Sequence, residues 1–540
     1  MKKIKINIKL YGILIALFFV LSCNDEFLKE KPKSFLSPEN AYVDKEGFDA
    51  GLVAIHRIVH GLFTWRISWL ELGFTDQKDQ VSLTGQGTDL GWYWDKVNFF
   101  GDYSLVNPDN RYVSDIWKLL YFIIKDANVI ITRAENESVQ WNSDEEKNAV
   151  VAEARFFRAF AYRYLVYHFG GVPVIDKEIT GIKLDFERSS KSEVLEFIKS
   201  DLEFASLHLP TSNANNGRIF KAAADHLLAE TCIALGEYDE AIAAATAVID
   251  DPQYELMQER FGSFKDKPGD VFWDLFRLGN QNSHENTEVI WAIQIEYNVP
   301  GGSASHLERC WGPLISNLKT PDNKQALLDD EFRGRPIGFI RPSVYLEYDI
   351  WISDWDNDMR NSEYNMQREF LINNPESEYY GQVYQPSGND TVRNHFVYIK
   401  KASHPYGHPQ GYDVNGNLYS DIYVFRLAET YLLRAEAYMM KGDGLNAAAD
   451  INVVRSRANA TPIDPGMVDI HYILDERARE LVIEEPRRLT LYRTGLLEDR
   501  VKKHNPVSAP SVKGRDNILP IPQSEIDANL EVELTQNQGY

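Results

Sequence analysis

The chain has 540 residues, 44% of them hydrophobic, which is enough to bury large cores and long enough for two or more domains. Its formal net charge of −23 repels nucleic acid and anionic lipid headgroups, which excludes a nucleic-acid partner. Three cysteines exclude a disulfide framework, and whether Cys232 and Cys310 pair is not readable from sequence. Eleven Trp, 28 Tyr and 27 Phe exceed what packing alone demands, and several fall in loops.

The first element in chain order is a leader. Lys2, Lys3, Lys5 and Lys9 precede an apolar run too short to span a bilayer, and Leu21-Ser22 lead into Cys23. This arrangement resembles a bacterial lipoprotein processing site, at which the thiol is acylated. It implies export and a lipid anchor at Cys23. Cleavage would remove four lysines and no acids, taking the formal charge to −27. No later segment is apolar for long enough to span a membrane, so attachment would rest on the acyl chains.

Residues 85–103 form a Gly/Asp-rich break that carries Trp92-Tyr93-Trp94, and Gly85 to Gly91 read as a flexible turn. Over 148–169, Val151, Ala154, Phe157, Ala161 and Leu165 recur at helical spacing until Gly170-Gly171 and Pro173 stop the helix. Over 222–250 the pattern is helix, turn at Gly236, helix, with small residues where the two would cross, as in a tetratricopeptide unit. A related pair runs over 426–457 through Gly442, and the helix at 148–169 suits a third unit. Such units stack, because one pair cannot cover its own apolar face. Between 264 and 422 Pro, Gly, Asn, Asp and Trp crowd together around short strand-like runs, a surface built of loops. The expected class is mostly α, a tetratricopeptide-like helical-hairpin scaffold with a loop-rich middle carrying a few short strands. The expected division is a leader at 1–22, a lipidated tether at 23–38, helical parts at 39–263 and 423–540, and the loop-rich part at 264–422.

Several motifs occur in a characteristic order. Ala152-Glu153-Ala154-Arg155-Phe156-Phe157-Arg158-Ala159-Phe160 closes with Phe169-Gly170-Gly171-Val172-Pro173. Arg426-Leu427-Ala428-Glu429-Thr430-Tyr431-Leu432-Leu433-Arg434-Ala435-Glu436-Ala437-Tyr438 follows, then Ile451-Asn452-Val453-Val454-Arg455-Ser456-Arg457-Ala458 and Glu476-Arg477-Ala478-Arg479-Glu480-Leu481. Leu519-Pro520-Ile521-Pro522 with Glu525, and Gln536-Asn537-Gln538-Gly539-Tyr540, complete the set. Nearly the whole chain beyond the leader thereby resembles the SusD/RagB family of surface glycan-binding lipoproteins of Bacteroidetes. One stretch departs from that pattern. After Glu480-Leu481 the family continues with a glutamate, a glycine and an arginine, then an aromatic pair and an aspartate, whereas this chain has Glu484-Glu485-Pro486-Arg487-Arg488-Leu489-Thr490-Leu491. Pro486 should stop or kink the helix coming from Arg477.

The charged motif residues Glu153, Arg155, Arg158, Arg426, Glu429 and Arg434 read as scaffold ion pairs between helices, with Arg426, Glu429 and Arg434 near a helix edge. Signals for chemistry are weak. Asp354, Asp356 and Asp358 alternate as in a calcium loop, but Met359 and Asn365 stand where glycine and glutamate are needed. His56 and His60 lack the metalloprotease glutamate, since Arg57 follows His56, and His404 and His408 sit in a loop. The spacing in Gly85 to Gly91 is wrong for a dinucleotide fingerprint, and no nucleophile elbow occurs. No cofactor, no metal and no catalytic residue is expected.

A binding surface remains. Sugar rings offer a C–H face that a flat aromatic matches. The candidate contacts are Trp92, Tyr93 and Trp94 first, Trp311 second, and Trp273, Trp351 and Trp355 third. The resemblance implies an outer-membrane lipoprotein that faces outward, captures an oligosaccharide and delivers it to a TonB-dependent SusC-like barrel. The alternatives are a surface glycoside hydrolase, a structural or adhesive lipoprotein, or the same transport role with peptide cargo.

Overall fold

The computed structural model describes residues 38–64, 85–95, 100–212, 217–328, 334–403 and 417–540. The first half holds helices α1 (Lys45–Phe63), α2 (Arg111–Ala134), α3 (Asp144–Phe169), α4 (Lys191–His208), α5 (Lys221–Leu235) and α6 (Tyr238–Ile249). The return holds α7 (Leu427–Met440), α8 (Gly444–Arg457), α9 (Ile470–Leu481), α10 (Arg487–Thr494) and α11 (Leu497–His504). Helices α2 to α6 pack each on the next, and α7 closes the stack against α5 and α6 while α8 packs on α7.

Local chemistry sets the helix boundaries. Ser143 caps α3 by accepting from the Glu146 amide, and three acids fill the first turn at the positive end of the helix dipole. Ser190 and Glu193 form a capping box on α4. Both hairpin turns need a left-handed residue, which glycine supplies: Gly236 at φ 82° between α5 and α6, and Gly442 at φ 79° between α7 and α8. From Val150 onward α3 is buried on nearly every side, so it is the axis of the molecule. Its Phe156, Phe157 and Phe160 meet the Trp291 ring edge-on at 5.1 to 6.2 Å between centroids.

Among the described residues six short strands form three antiparallel pairs: β1 (Gly91–Tyr93) with β3 (Ile340–Pro342), β2 (Val289–Ile293) with β6 (Ile422–Arg426), and β4 (Met366–Gln367) with β5 (Tyr398–Ile399). Between β2 and β6 the described helices are one or two turns long, and loops make the rest. One apolar core nonetheless runs from Phe48 through Trp311 and Leu346 to Leu534. Cys232 and Cys310 are unbridged, buried, and placed in different core clusters.

The motif residues hold elements together through ion pairs. Arg158 reaches across to Asp201 with two bonds of 2.7 Å and also donates to Asn128 and the Asp176 carbonyl, while Arg155 lies 3.7 Å from the same carboxylate. Glu153 accepts from Arg218 and lies 2.7 Å from the His56 ring, and Arg434 grips Asp450 bidentately. Arg426 and Glu429 are not at a helix edge. Arg426 ends β6 and is 1% exposed, donating to Glu484, Glu480 and Glu288, and buried Glu429 accepts from Arg477. Arg457 and Arg360 share Glu480, and Arg360, Arg455 and Arg479 share Glu476. Taking so many charges out of water is tolerable only because each meets its counter-ion at hydrogen-bond distance.

Helix α9 ends at Leu481, and Pro486 opens α10, where a missing amide costs nothing. Glu485 is buried. It accepts from Arg477 at 2.5 Å, from Arg487 at 3.3 Å and from the Thr490 hydroxyl at 2.7 Å.

Two predictions follow from these charges. Glu485→Ala leaves the Arg477 guanidinium buried with half its partners and should lower stability by about 3 kcal/mol. Glu485→Gly combined with Thr490→Asp should recover more than half of that loss, both read from urea unfolding midpoints. The second concerns acid. Burial alone would raise Glu476, but Arg360, Arg479 and Arg455 outweigh it and hold its carboxyl at about 2. Glu480, Glu429 and Asp89 are held far below the usual range in the same way. Groups depressed in the folded state stabilise it above their unfolded pKa near 4, so the unfolding free energy should fall steeply as pH drops below about 5.

Candidate functional site

The Gly85 to Gly91 segment, expected as a flexible turn, is instead buried and pinned. Asp89 accepts from Arg487 at 2.7 and 3.0 Å and from Arg500 at 2.9 Å. Arg488 lies 3.4 Å over the Phe100 ring and donates to the Gln86 carbonyl, and Tyr103 donates to the Gly87 carbonyl. Asn505 donates to the Thr88 and Gly91 carbonyls. Most of its anchors lie some 400 residues downstream, in α10, in α11 and at Asn505, beyond the reach of any local pattern.

This anchored loop delivers β1. Trp92 pairs across the strands with Arg341, Tyr93 packs inward nearly parallel to Phe339 at 5.9 Å, and Trp94 donates its amide to the Phe339 carbonyl. Trp92 and Trp94 are half-buried and Tyr93 is buried. The Arg393 guanidinium lies 4.3 Å over Trp94. Arg341 pairs with buried Glu347 at 2.7 Å and lies 5.1 Å over Phe396. The next residue, Tyr348, is parallel to Trp355 within 6° at 6.1 Å, and Arg368 lies over both rings at 5.7 and 4.5 Å. Arg368 also donates to the Glu347 carbonyl at 2.7 Å, which joins the two groups. Trp94 with Arg393, the strand partners Trp92 and Arg341, and Tyr348 with Arg368 and Trp355 thus follow one another as a strip, linked by a cation–π contact, by strand pairing and through Glu347, which pairs with Arg341 and accepts from Arg368. Trp355 and Tyr348, at 40% and 43% exposed, hold its open end. Burial lowers the pKa of Arg368 and of Arg393 from the ordinary arginine value.

Three candidate tryptophans belong to the interior. Trp311 is 0% exposed and lies beneath the pinned loop, where a Cβ on Gly85 would meet its ring at 3.1 Å. Trp351 is buried with its indole N–H on the Leu346 carbonyl. Trp273 is buried against the Arg277 guanidinium at 4.5 Å. Each supports the loops and offers no face to a ligand. A tryptophan beside glycine or aspartate carries the same one-dimensional signature whether it faces in or out. Sequence reading missed Tyr348, Arg341, Arg368 and Arg393, whose part depends on contacts across the fold. It also missed the half-buried pair Tyr297 and Tyr419, edge-on at 5.0 Å.

The other sequence candidates resolve as follows. Asp354 is bound by Arg455 and Asp358 by Arg360, so two of the three alternating aspartates hold arginines. His60 is buried against Thr64, with burial lowering its pKa to about 4, and His56 faces Glu153. Among the described residues no group of three or more His, Cys, Asp or Glu side chains is placed to hold a metal. Cys23, the tether up to residue 37, His404 and His408 lie outside the described residues. A separate, mainly apolar groove of about 510 Å³, lined by Trp117, Tyr121, Ile175 and Phe186, contains none of the predicted aromatics.

Comparison with known proteins covers both halves of the chain. The SusD family model matches residues 287–540, and the model described as "Starch-binding associating with outer membrane" matches 64–231. SusD-like protein P25 of Formosa agariphila is 25% identical over 98% of this chain and all of its own length. The starch-binding protein SusD of Bacteroides thetaiotaomicron is 38% identical over 125 residues, 22% of each chain. Among solved structures, a laminarin binding SusD-like protein superposes with a TM-score of 0.68 at 24% identity, covering 92% of this chain and all of that one. Surface glycan-binding protein A from B. thetaiotaomicron, in complex with laminarihexaose, does so at 0.67 and 21%, covering 92% and 99%. With the ordered motifs, the helical-hairpin stack and both matches in agreement, the chain belongs to the SusD/RagB family.

Proposed function

We propose that the protein is a surface lipoprotein, anchored in the outer membrane through Cys23, that captures an oligosaccharide and delivers it to a TonB-dependent SusC-like barrel. The observation that carries the binding step is the strip of rings and guanidiniums ending at Tyr348 and Trp355. Two near-parallel aromatics give a flat apolar platform for the C–H face of a sugar, and flanking polar groups meet its hydroxyls. The names of relatives that bind starch and laminarin support the cargo class. Among the described residues no helix is long and apolar enough to cross a membrane, which suits attachment through an acyl chain. Capture, closure over the barrel and release require no covalent step.

The leaderless chain should bind one glycan class on an array, and Trp355→Ala or Tyr348→Ala should weaken that binding about tenfold, or about 1.4 kcal/mol, with little change in melting temperature. Trp311→Ala should behave oppositely. It empties a buried site and should cost about 3–5 kcal/mol of stability. Intact binding in both platform variants removes the strip from the proposal. In the native host, Cys23→Ala should move the protein out of the membrane fraction and abolish fatty-acid labelling.

A further inference from the structure

Arg393 is held differently from the arginines of the scaffold. Arg158, Arg163, Arg434 and Arg493 each meet a carboxylate in a bidentate clasp. Arg393 uses only its Nε, which donates to the Ile337 carbonyl at 2.8 Å, and among the described residues neither η nitrogen meets an acceptor. That one bond and the stack on Trp94 and Phe339 fix the plane of the guanidinium. The surrounding charges leave it without a counter-ion in contact. Asp95 is exposed and acts on it through space, while the Asp390 carboxylate accepts from Ser387 and Tyr384. Arg341 is matched by Glu347, and the Arg368 guanidinium donates to carbonyls and to Asn361 while the carboxylate of Glu363 accepts from the Arg368 backbone amide.

What this end of the strip presents above Trp94 is therefore a flat cation with as many as four N–H donors and no acceptor. A neutral sugar's hydroxyls can accept from it but leave its charge unmatched, and its C–H face seeks a bare ring. An oxyanion suits it on both counts, because carboxylate and sulfate only accept and can take both η nitrogens in parallel bonds. We infer that the captured oligosaccharide is acidic, with a carboxylate or sulfate substituent seated on Arg393. The inference rests on the capture reading given above and specifies its ligand. The chain's overall negative charge does not oppose it at contact range, because salt screens charges beyond about 8 Å at physiological ionic strength.

The test titrates the leaderless protein with three oligosaccharides of equal length, one neutral, one containing uronate and one sulfated, at low and moderate salt. At least one acidic glycan should bind ten times or more tighter than the neutral one, with the advantage shrinking as salt rises, and the two acidic arms identify the anion. Arg393→Gln, with its melting curve unchanged, should weaken binding of the acidic glycan at least five times more than binding of the neutral one. Arg393→Lys, which keeps the charge without the fork, should retain part of the advantage. Equal or tighter binding of the neutral glycan overturns the inference and leaves capture standing. So does an equal loss of neutral and acidic binding in Arg393→Gln. If no oligosaccharide of any class binds, the capture reading fails and this inference fails with it.

Discussion

The clasp of Arg487 and Arg500 on Asp89 is the constraint on which the surface depends. It joins the two ends of a long chain, with 398 residues separating Asp89 from Arg487. Buried charge is costly unless matched, so this triad admits only one position for the loop relative to α10 and α11. Once the loop is fixed, β1 pairs with β3, and the rings of β1 fall beside the arginines of the middle stretch. The surface is thus preorganised by an interaction that touches none of its exposed side chains.

The same logic governs the interior at large. Glu480 and Glu476 each gather several guanidiniums from β6, α8, α9 and the 354–360 turn. Apolar packing alone would let helices slide by a turn at little cost, whereas a bidentate ion pair tolerates no such slip. Glu485 and Thr490 show how tightly the requirement binds. Glu485 closes the charge count around Arg477, and the Thr490 hydroxyl donates to it.

Legibility in the sequence followed the range of the interactions involved. Helices α3, α5 and α7, the turns at Gly236 and Gly442, and the break at Pro486 depend on neighbours within a few residues, and periodicity with breaker residues displays them. The interior placement of Trp311, Trp273 and Trp351 depends on what folds over them, which no local pattern records. For Gly85 to Gly91 local composition pointed the wrong way. Glycine and aspartate describe loose turns when the aspartate faces water, and here Asp89 does not. Of the strip, the β1 aromatics and Trp355 were readable as residues of interest, while the guanidiniums that join them emerged only from the fold.

The two unbridged thiols set a condition on how the chain reaches this state. In the finished molecule burial pushes the Cys232 thiol up to about 12 and raises Cys310 as well, so neither is a ready nucleophile. They sit in separate clusters, and joining them would pull at least one out of its packing. The unfolded chain has no such protection. An oxidant that meets it before folding traps it as a crosslinked dead end, so in oxidising surroundings the helical stack must close ahead of sulfur chemistry.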